Sequence, residues 1–235
     1  MSLTKQQIFE IEDTLKTALR HKFSNYNPEP VTMPFHTRLL GKDRLALFSF
    51  IHSLNTNFGT SIFEPVAVTL AKTNFKEAHS QVSAGSQISE QALFEIQKIM
   101  DNLTAAHIAP SKANEIEILR RVCQKCEMRT VKPTKIDIAL TAHDGSLHFF
   151  DIKTAKPNKG GFKEFKRTLL EWAACVLANN PQAAVNTYIA IPYNPYAPKP
   201  YSRWTMAGML DLNAELKWRK NFGIFWEVKV LSINC

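Results

Sequence analysis

The chain has 235 residues and 29 Lys+Arg against 21 Asp+Glu, giving a formal charge of +8 and a sequence pI of about 9.3; this balance suits nucleic acid or another anionic surface. It is 45% hydrophobic, enough for a full core, and its length suits one large domain or one domain with a sizeable lobe. No apolar run reaches membrane-spanning length and Met1 to Lys16 is polar rather than signal-like, which argues against a membrane protein and leads us to expect a cytoplasmic one.

Ile8, Ile11, Leu15 and Leu19 form an apolar stripe at helical spacing, closed by the proline-containing loop Asn25 to Pro30. Leu47, Phe50, Ile51 and Leu54 form a second. A further helix starts after the glycine turn of Gly59-Thr60-Ser61-Ile62-Phe63-Glu64. Ser89 reads as an N-cap before Leu93, Ile96, Met100 and Leu103. The helix Asn114 to Gln124 turns Ile116, Leu119 and Cys123 inward. From about Glu127 the period shortens to two, which predicts strands at 127–132, 135–142 and 147–154. A helix bearing Phe162, Phe165, Leu169, Trp172 and Val176 follows, and then a fourth β-rich run from Asn186 to Pro192. With no repeat and no long linker, residues 1–110 read as a helical lobe. Residues 111–235 read as an α/β core, a mixed central sheet flanked by helices, forming one unit with the lobe.

Of the four cysteines, Cys123 and Cys126 make one C-x-x-C pair, and neither a second pair nor suitably spaced histidines complete a zinc site. We therefore expect reduced, structural thiols.

The chemistry concentrates in Thr134-Lys135-Ile136-Asp137-Ile138 and Phe150-Asp151-Ile152-Lys153-Thr154. Side chains alternate along a strand, so Asp151 and Lys153 share a face. Asp137 joins them only if the turn has the right length. A three-residue loop His143-Asp144-Gly145, with Gly145 left-handed, sets Asp137 opposite Asp151; a two-residue Asp144-Gly145 loop slips the register and separates the carboxylates. The chemistry favours the longer loop. Two such carboxylates can hold Mg²⁺, while the lysine orients or deprotonates water and offsets phosphate charge, as in-line phosphodiester hydrolysis requires. An extra glutamate often supports such a site. Glu64, Glu115 and Glu117 are all candidates, and Glu64 is favoured because the other two straddle an apolar stripe.

Lys156, Lys159, Lys163, Lys166 and Arg167 lie in a stretch whose single acid is Glu164. Lys163 and Arg167 stack at i and i+4, an arrangement that a polyphosphate partner explains. After the last predicted strand, the loop Tyr193 to Trp204 is stiffened by prolines and offers Asn194, Lys199 and Arg203 as DNA contacts; a dimer contact or a sheet cover is the alternative use. His36 and His79 stay open between DNA contact and packing.

The segment from about His36 to Trp204 resembles the TdeIII/MjaII family of type II restriction endonucleases, within the PD-(D/E)XK nucleases. The resemblance is carried by His36-Thr37-Arg38-Leu39-Leu40-Gly41, Ser61-Ile62-Phe63-Glu64-Pro65, Asn114 to Leu119, the Asp137 strand, Asp151-Ile152-Lys153-Thr154-Ala155-Lys156-Pro157-Asn158, Leu169-Leu170-Glu171-Trp172 and Ile191-Pro192-Tyr193-Asn194-Pro195-Tyr196. It implies a restriction-endonuclease-like fold and a homodimer that cuts both strands of an interrupted GGNCC-type palindrome with Mg²⁺, the 1–110 lobe contributing to DNA binding and dimerisation, alongside a cognate DNA methyltransferase as genetic partner. Asp137, Asp151 and Lys153 match the family's two acids and its lysine; the short run Trp226 to Cys235 carries no part of the resemblance. Two other readings compete: a structure-specific or repair nuclease with the same core, and a DNA-binding relative with a decayed site. The intact triplet argues against the decayed site, and the lobe and loop favour sequence reading over structure reading.

Overall fold

A computed structural model of the chain describes residues 4–26, 34–153, 161–192, 194, 196, 198–199 and 206–218. Helix α1, Lys5–Asn25, begins at a capping box in which Thr4 Oγ1 accepts from Gln7 N at 3.2 Å and Gln7 Oε1 accepts from Thr4 N at 2.9 Å. Helices α2, Pro34–Leu40, and α3, Lys42–Phe58, follow, and a π-helical turn at Gly59–Phe63 leads into α4, Glu64–Ala71. From the predicted stripe of α1, Ile11 is buried with Val66 and Leu70 of α4, and Leu15 packs against them. In α3, the Phe50 ring packs tilted against Phe23 of α1 and edge-on against Tyr26, the residue that follows α1, whereas Leu47 and Ile51 stay exposed.

Five strands form the main sheet: β1, Glu77–Val82; β4, Ile136–Thr141; β5, Leu147–Ile152; β6, Val185–Ile191; and β7, Leu216–Trp218, in the order β1-β4-β5-β6-β7. The pairs β1–β4 and β4–β5 are antiparallel, and β5–β6 and β6–β7 are parallel. The crossover from β5 to β6 is α7, Phe162–Asn179, as a parallel pair requires. Between β1 and β4 the chain inserts β2, Gln87–Ser89; α5, Glu90–Thr104; α6, Lys112–Val122; and β3, Met128–Thr130, with β2 and β3 pairing as a separate ribbon. Ser89 caps α5, its hydroxyl accepting from Ala92 N at 3.1 Å.

The larger core lies between the sheet and α5, α6 and α7 and includes Ile96, Leu119, Ile136, Phe149, Leu169, Trp172, Ile189 and Ile191. A smaller one joins Ala67 and Ala71 of α4 to Ile138, Leu140, Phe150 and Ala190. Trp172, fully buried, donates from Nε1 to Thr134 O at 2.7 Å and fastens α7 beside the entry to β4.

Two expectations need correction. The strand predicted at 127–132 exists only as β3 of the small ribbon, and the first strand of the main sheet is β1. The 110/111 boundary therefore does not separate lobe from core, because β1 and α4 both pack on β4 from within residues 1–110. The sequence Glu-Ala-His-Ser-Gln-Val of β1 is mostly exposed and carries small or polar side chains, so it lacks the alternating apolar signal of a half-buried strand. Cys123, Cys126 and Cys175 are free thiols, the first and last buried; Cys235 lies outside the described residues. Among the described residues no helix is long and apolar enough to cross a membrane.

Candidate active site

The β4–β5 turn decides the site. Ala142 N donates to Ser146 O at 2.9 Å, Gly145 N donates to Ala142 O at 3.0 Å, and Gly145 has φ +83°. This is the three-residue loop with a left-handed glycine, further tied by Asp144 Oδ1, which accepts from Ser146 N at 2.9 Å and from its hydroxyl at 2.7 Å. The register it imposes pairs Thr141 with Leu147 and Ile138 with Phe150. One step further along, Asp137 stands opposite Asp151.

Asp137 Oδ2 accepts from the backbone N of Ile152 at 2.7 Å, which fixes its carboxylate across the strand pair. Asp151 is 6% exposed, and its Oδ1 is 2.6 Å from Lys153 Nζ. Burial, opposed by Lys153 and reinforced by the neighbouring Asp137, pushes the Asp151 carboxyl up to about 6. Lys153 is anchored through its backbone N to Ala190 O at 2.9 Å. Its ammonium lies 4.8 Å from the Phe165 ring centroid of α7, a cation–π contact. Asp137, Asp151 and Lys153 thus gather at one end of the β4–β5 pair.

Glu64 arrives from the first turn of α4, 3% exposed. Its two oxygens accept from Gln81 Nε2 at 2.9 and 3.0 Å, and the same nitrogen is 3.3 Å from Asp137 Oδ1. Burial raises the Glu64 carboxyl, the Gln81 hydrogen bond lowers it, and the Asp137 charge raises it. Glu115 and Glu117 lie elsewhere: Glu115 is buried against Lys166, and Glu117 pairs with Arg120 and Arg121. Of the three candidate glutamates, Glu64 is the one beside Asp137. Gln81 is not visible in the sequence, since nothing there marks β1 as a strand beside β4.

Lys166, read from the sequence as a DNA contact, is a correction. It is fully buried, with Nζ 2.5 Å from Glu115 Oε2 and 2.7 Å from Glu215 Oε2. Glu215 also pairs with Lys112 at 3.3 Å, and Lys112 donates to Thr187 Oγ1. Lys166 is four residues after Phe162 and three before Leu169, so it belongs to the inward stripe; burial is tolerated because carboxylates meet it there. On the outward side Lys163 is exposed, while Arg167 reaches Gln97 Oε1 at 2.5 Å and Glu171 at 4.0 Å. Asn194 Nδ2 donates to Lys199 O at 2.7 Å and its Oδ1 accepts from Tyr196 N at 2.9 Å, so both of its polar atoms are engaged within the loop. Lys199 is exposed. Lys156, Lys159 and Arg203 lie outside the described residues. His36 is in α2 beside Phe35, and His79 is exposed on β1.

Among the described residues no group of three or more His, Cys, Asp or Glu side chains is arranged to hold a metal ion. The donor set at Asp137 and Asp151 nevertheless suits a hard cation: two adjacent carboxylates with oxygens only, the sparse protein ligation that Mg²⁺ accepts while keeping most of its waters.

A mixed five-stranded sheet flanked by helices, with two acids and a lysine at one end of its central antiparallel pair, is a restriction-endonuclease-like fold. The chain belongs to the family described as type II restriction endonuclease, HinfI, whose family model matches residues 3–228. It is similar to the type II restriction enzyme MjaII of Methanocaldococcus jannaschii, 26% identical over 216 residues, covering 83% of this chain and 56% of the relative. It is also similar to HgiCII and HgiEI of Herpetosiphon aurantiacus, type II restriction enzymes each 28% identical, covering 69% of this chain and 59% of the relative. The chain thus spans less than three fifths of the length of these relatives. No solved structure matches it.

Proposed function

We propose that this protein is a sequence-specific type II restriction endonuclease, hydrolysing phosphodiester bonds of double-stranded DNA at a short interrupted palindrome of the GGNCC type. The observation that carries the reading is the opposition of Asp137 and Asp151 across β4 and β5, with Lys153 Nζ 2.6 Å from Asp151, in a chain matched nearly end to end by a restriction-endonuclease family.

Asp137 and Asp151 would hold Mg²⁺, which supplies positive charge at the scissile phosphate and acidifies a water. Lys153, just past the end of β5 and held between Asp151 and the Phe165 ring, orients the attacking water and offsets the charge that builds on the phosphate. Ile152 N holds the plane of Asp137, and Glu64 supplies a further carboxylate beside it. Lys163 and Arg167 contact the DNA backbone, joined by Lys156 and Lys159; Lys199 and Arg203 supply further DNA contacts, from a loop that Asn194 braces through its bonds to Lys199 O and Tyr196 N. The active species is a homodimer, since a palindrome presents two identical half-sites to an isologous pair. Phe9, Phe35, Leu39, Leu47 and Phe48 of α1–α3 are each more than half exposed, apolar surface of the kind a second copy covers.

Digesting plasmid DNA with Mg²⁺ and mapping the fragment ends tests this. Discrete ends at one short palindrome are expected. A smear, or cutting confined to branched or gapped DNA, would make the protein a structure-specific nuclease instead. Sedimentation on a duplex carrying the site should show two protomers per DNA.

A further inference from the structure

We propose that Gln81 is a positioning residue of the cation site, an amide clamp that holds Glu64 and Asp137 in one arrangement. This rests on the reading of Asp137 and Asp151 as cation ligands.

Gln81 Nε2 donates toward three carboxylate oxygens, Glu64 Oε1 and Oε2 at 2.9 and 3.0 Å and Asp137 Oδ1 at 3.3 Å. The contact joins α4, β1 and β4 through a single atom. Glu64 is 3% exposed, and a buried carboxylate needs donors. Asp137 is gripped from two sides, by Gln81 at Oδ1 and by Ile152 N at Oδ2, so its orientation is set before any cation arrives.

The backbone supports the same assignment independently. Gln81 has φ +57° in the interior of β1, a conformation that strains a side chain other than glycine by roughly 1 kcal/mol or more. Its neighbours Ser80 and Val82 pair with Ile138 and Ile136, so Gln81 is level with Asp137 at a break in the ladder. Gln81 is itself exposed, so packing does not hold it in this geometry, and its side-chain amide donates to the two carboxylates. Such strain in a sheet next to reactive groups is the pattern of a residue kept for what its side chain touches. A neutral amide fits this role because it joins two like charges without occupying the site with a competing cation, and partners of this outer kind tune metal affinity about 10- to 100-fold.

The test is calcium titration of the whole protein without DNA, by calorimetry and by the Ca²⁺-induced rise in melting temperature. Gln81→Gly is the informative variant, because glycine adopts φ +57° freely, so the side chain and its amide are removed without adding backbone strain. It should fold, with a Kd for Ca²⁺ about tenfold or more weaker than wild type. Gln81→Glu puts a third carboxylate in the same place, so it should lower the melting temperature without Ca²⁺ and regain more than the wild-type increment when Ca²⁺ is added. A purely structural residue would give equal losses with and without Ca²⁺. Wild-type binding abolished by Asp151→Asn but unchanged in Gln81→Gly overturns the clamp alone. Wild-type protein that binds no Ca²⁺, or binds it equally well as Asp151→Asn, overturns the cation-site reading and the clamp with it.

Discussion

Asp137 and Asp151 face each other across an antiparallel strand pair, yet each is held differently: Asp137 Oδ2 by the backbone N of Ile152 at 2.7 Å, Asp151 Oδ1 by Lys153 Nζ at 2.6 Å. One acid is fixed by main chain and the other by a counter-ion to which the proposed mechanism also gives a part. The juxtaposition depends on register, and the register depends on one glycine.

Gly145 is left-handed, and a methyl group placed on its Cα would meet no atom within 4 Å, so Gly145→Ala tests conformation without a clash. It should cost about 1 kcal/mol in urea unfolding. Deleting His143 is a harsher test: the two-residue loop left behind moves Asp137 to the face opposite Asp151, and cleavage should vanish even if the variant folds. Full activity in the deletion variant would disprove the register argument.

The Asp151 carboxyl is raised from 3.8 to about 6 by burial, a shift on the order of 3 kcal/mol. Below pH 3.8 it is protonated in both folded and unfolded chains and burial carries no penalty. Between pH 3.8 and about 6 the unfolded chain ionises first, so stability falls as pH rises, and above about pH 6 the penalty is complete. Metal-free Asp151→Asn should therefore be more stable than wild type at about pH 7 to 8, by up to about 3 kcal/mol, with the difference fading toward about pH 4. Urea melts across that range decide it; no gain at the alkaline end would refute the buried-charge assignment.

The two cations of α7 should separate cleanly. Lys163→Ala with Arg167→Ala should weaken binding to all DNA sequences and reduce the log–log salt slope by about one unit per lost phosphate contact. Lys166→Ala should instead destabilise the fold by about 3–5 kcal/mol, because Glu115 and Glu215 lose their buried counter-ion. A stable Lys166→Ala protein with a reduced salt slope would return Lys166 to the DNA face.

Much of the site is legible in the sequence because it is local. Parity puts Asp151 and Lys153 together, and the turn residues around Gly145 set Asp137 opposite. The helices α1, α5, α6 and α7 are visible from apolar spacing, and Ser89 from its capping chemistry. What the sequence hides depends on distant pairing. The edge strand β1 has few apolar side chains to reveal it, and without β1 nothing places Gln81 beside Glu64 and Asp137. Lys166 reads as a surface cation when charge is weighed before position: its spacing from Phe162 and Leu169 puts it inward, and the partners that make this tolerable, Glu115 and Glu215, lie 51 and 49 residues away.

The central claim is tested most directly by comparing wild type with Asp137→Ala, Asp151→Ala and Lys153→Ala, measuring Mg²⁺-supported cleavage of DNA and, separately, DNA binding in Ca²⁺. Each variant should lose about a thousandfold or more in cleavage, since each removes several kcal/mol of transition-state stabilisation, while affinity, spread over many backbone contacts, stays within about tenfold of wild type. Cleavage at the wild-type rate by any two of the three would contradict the account.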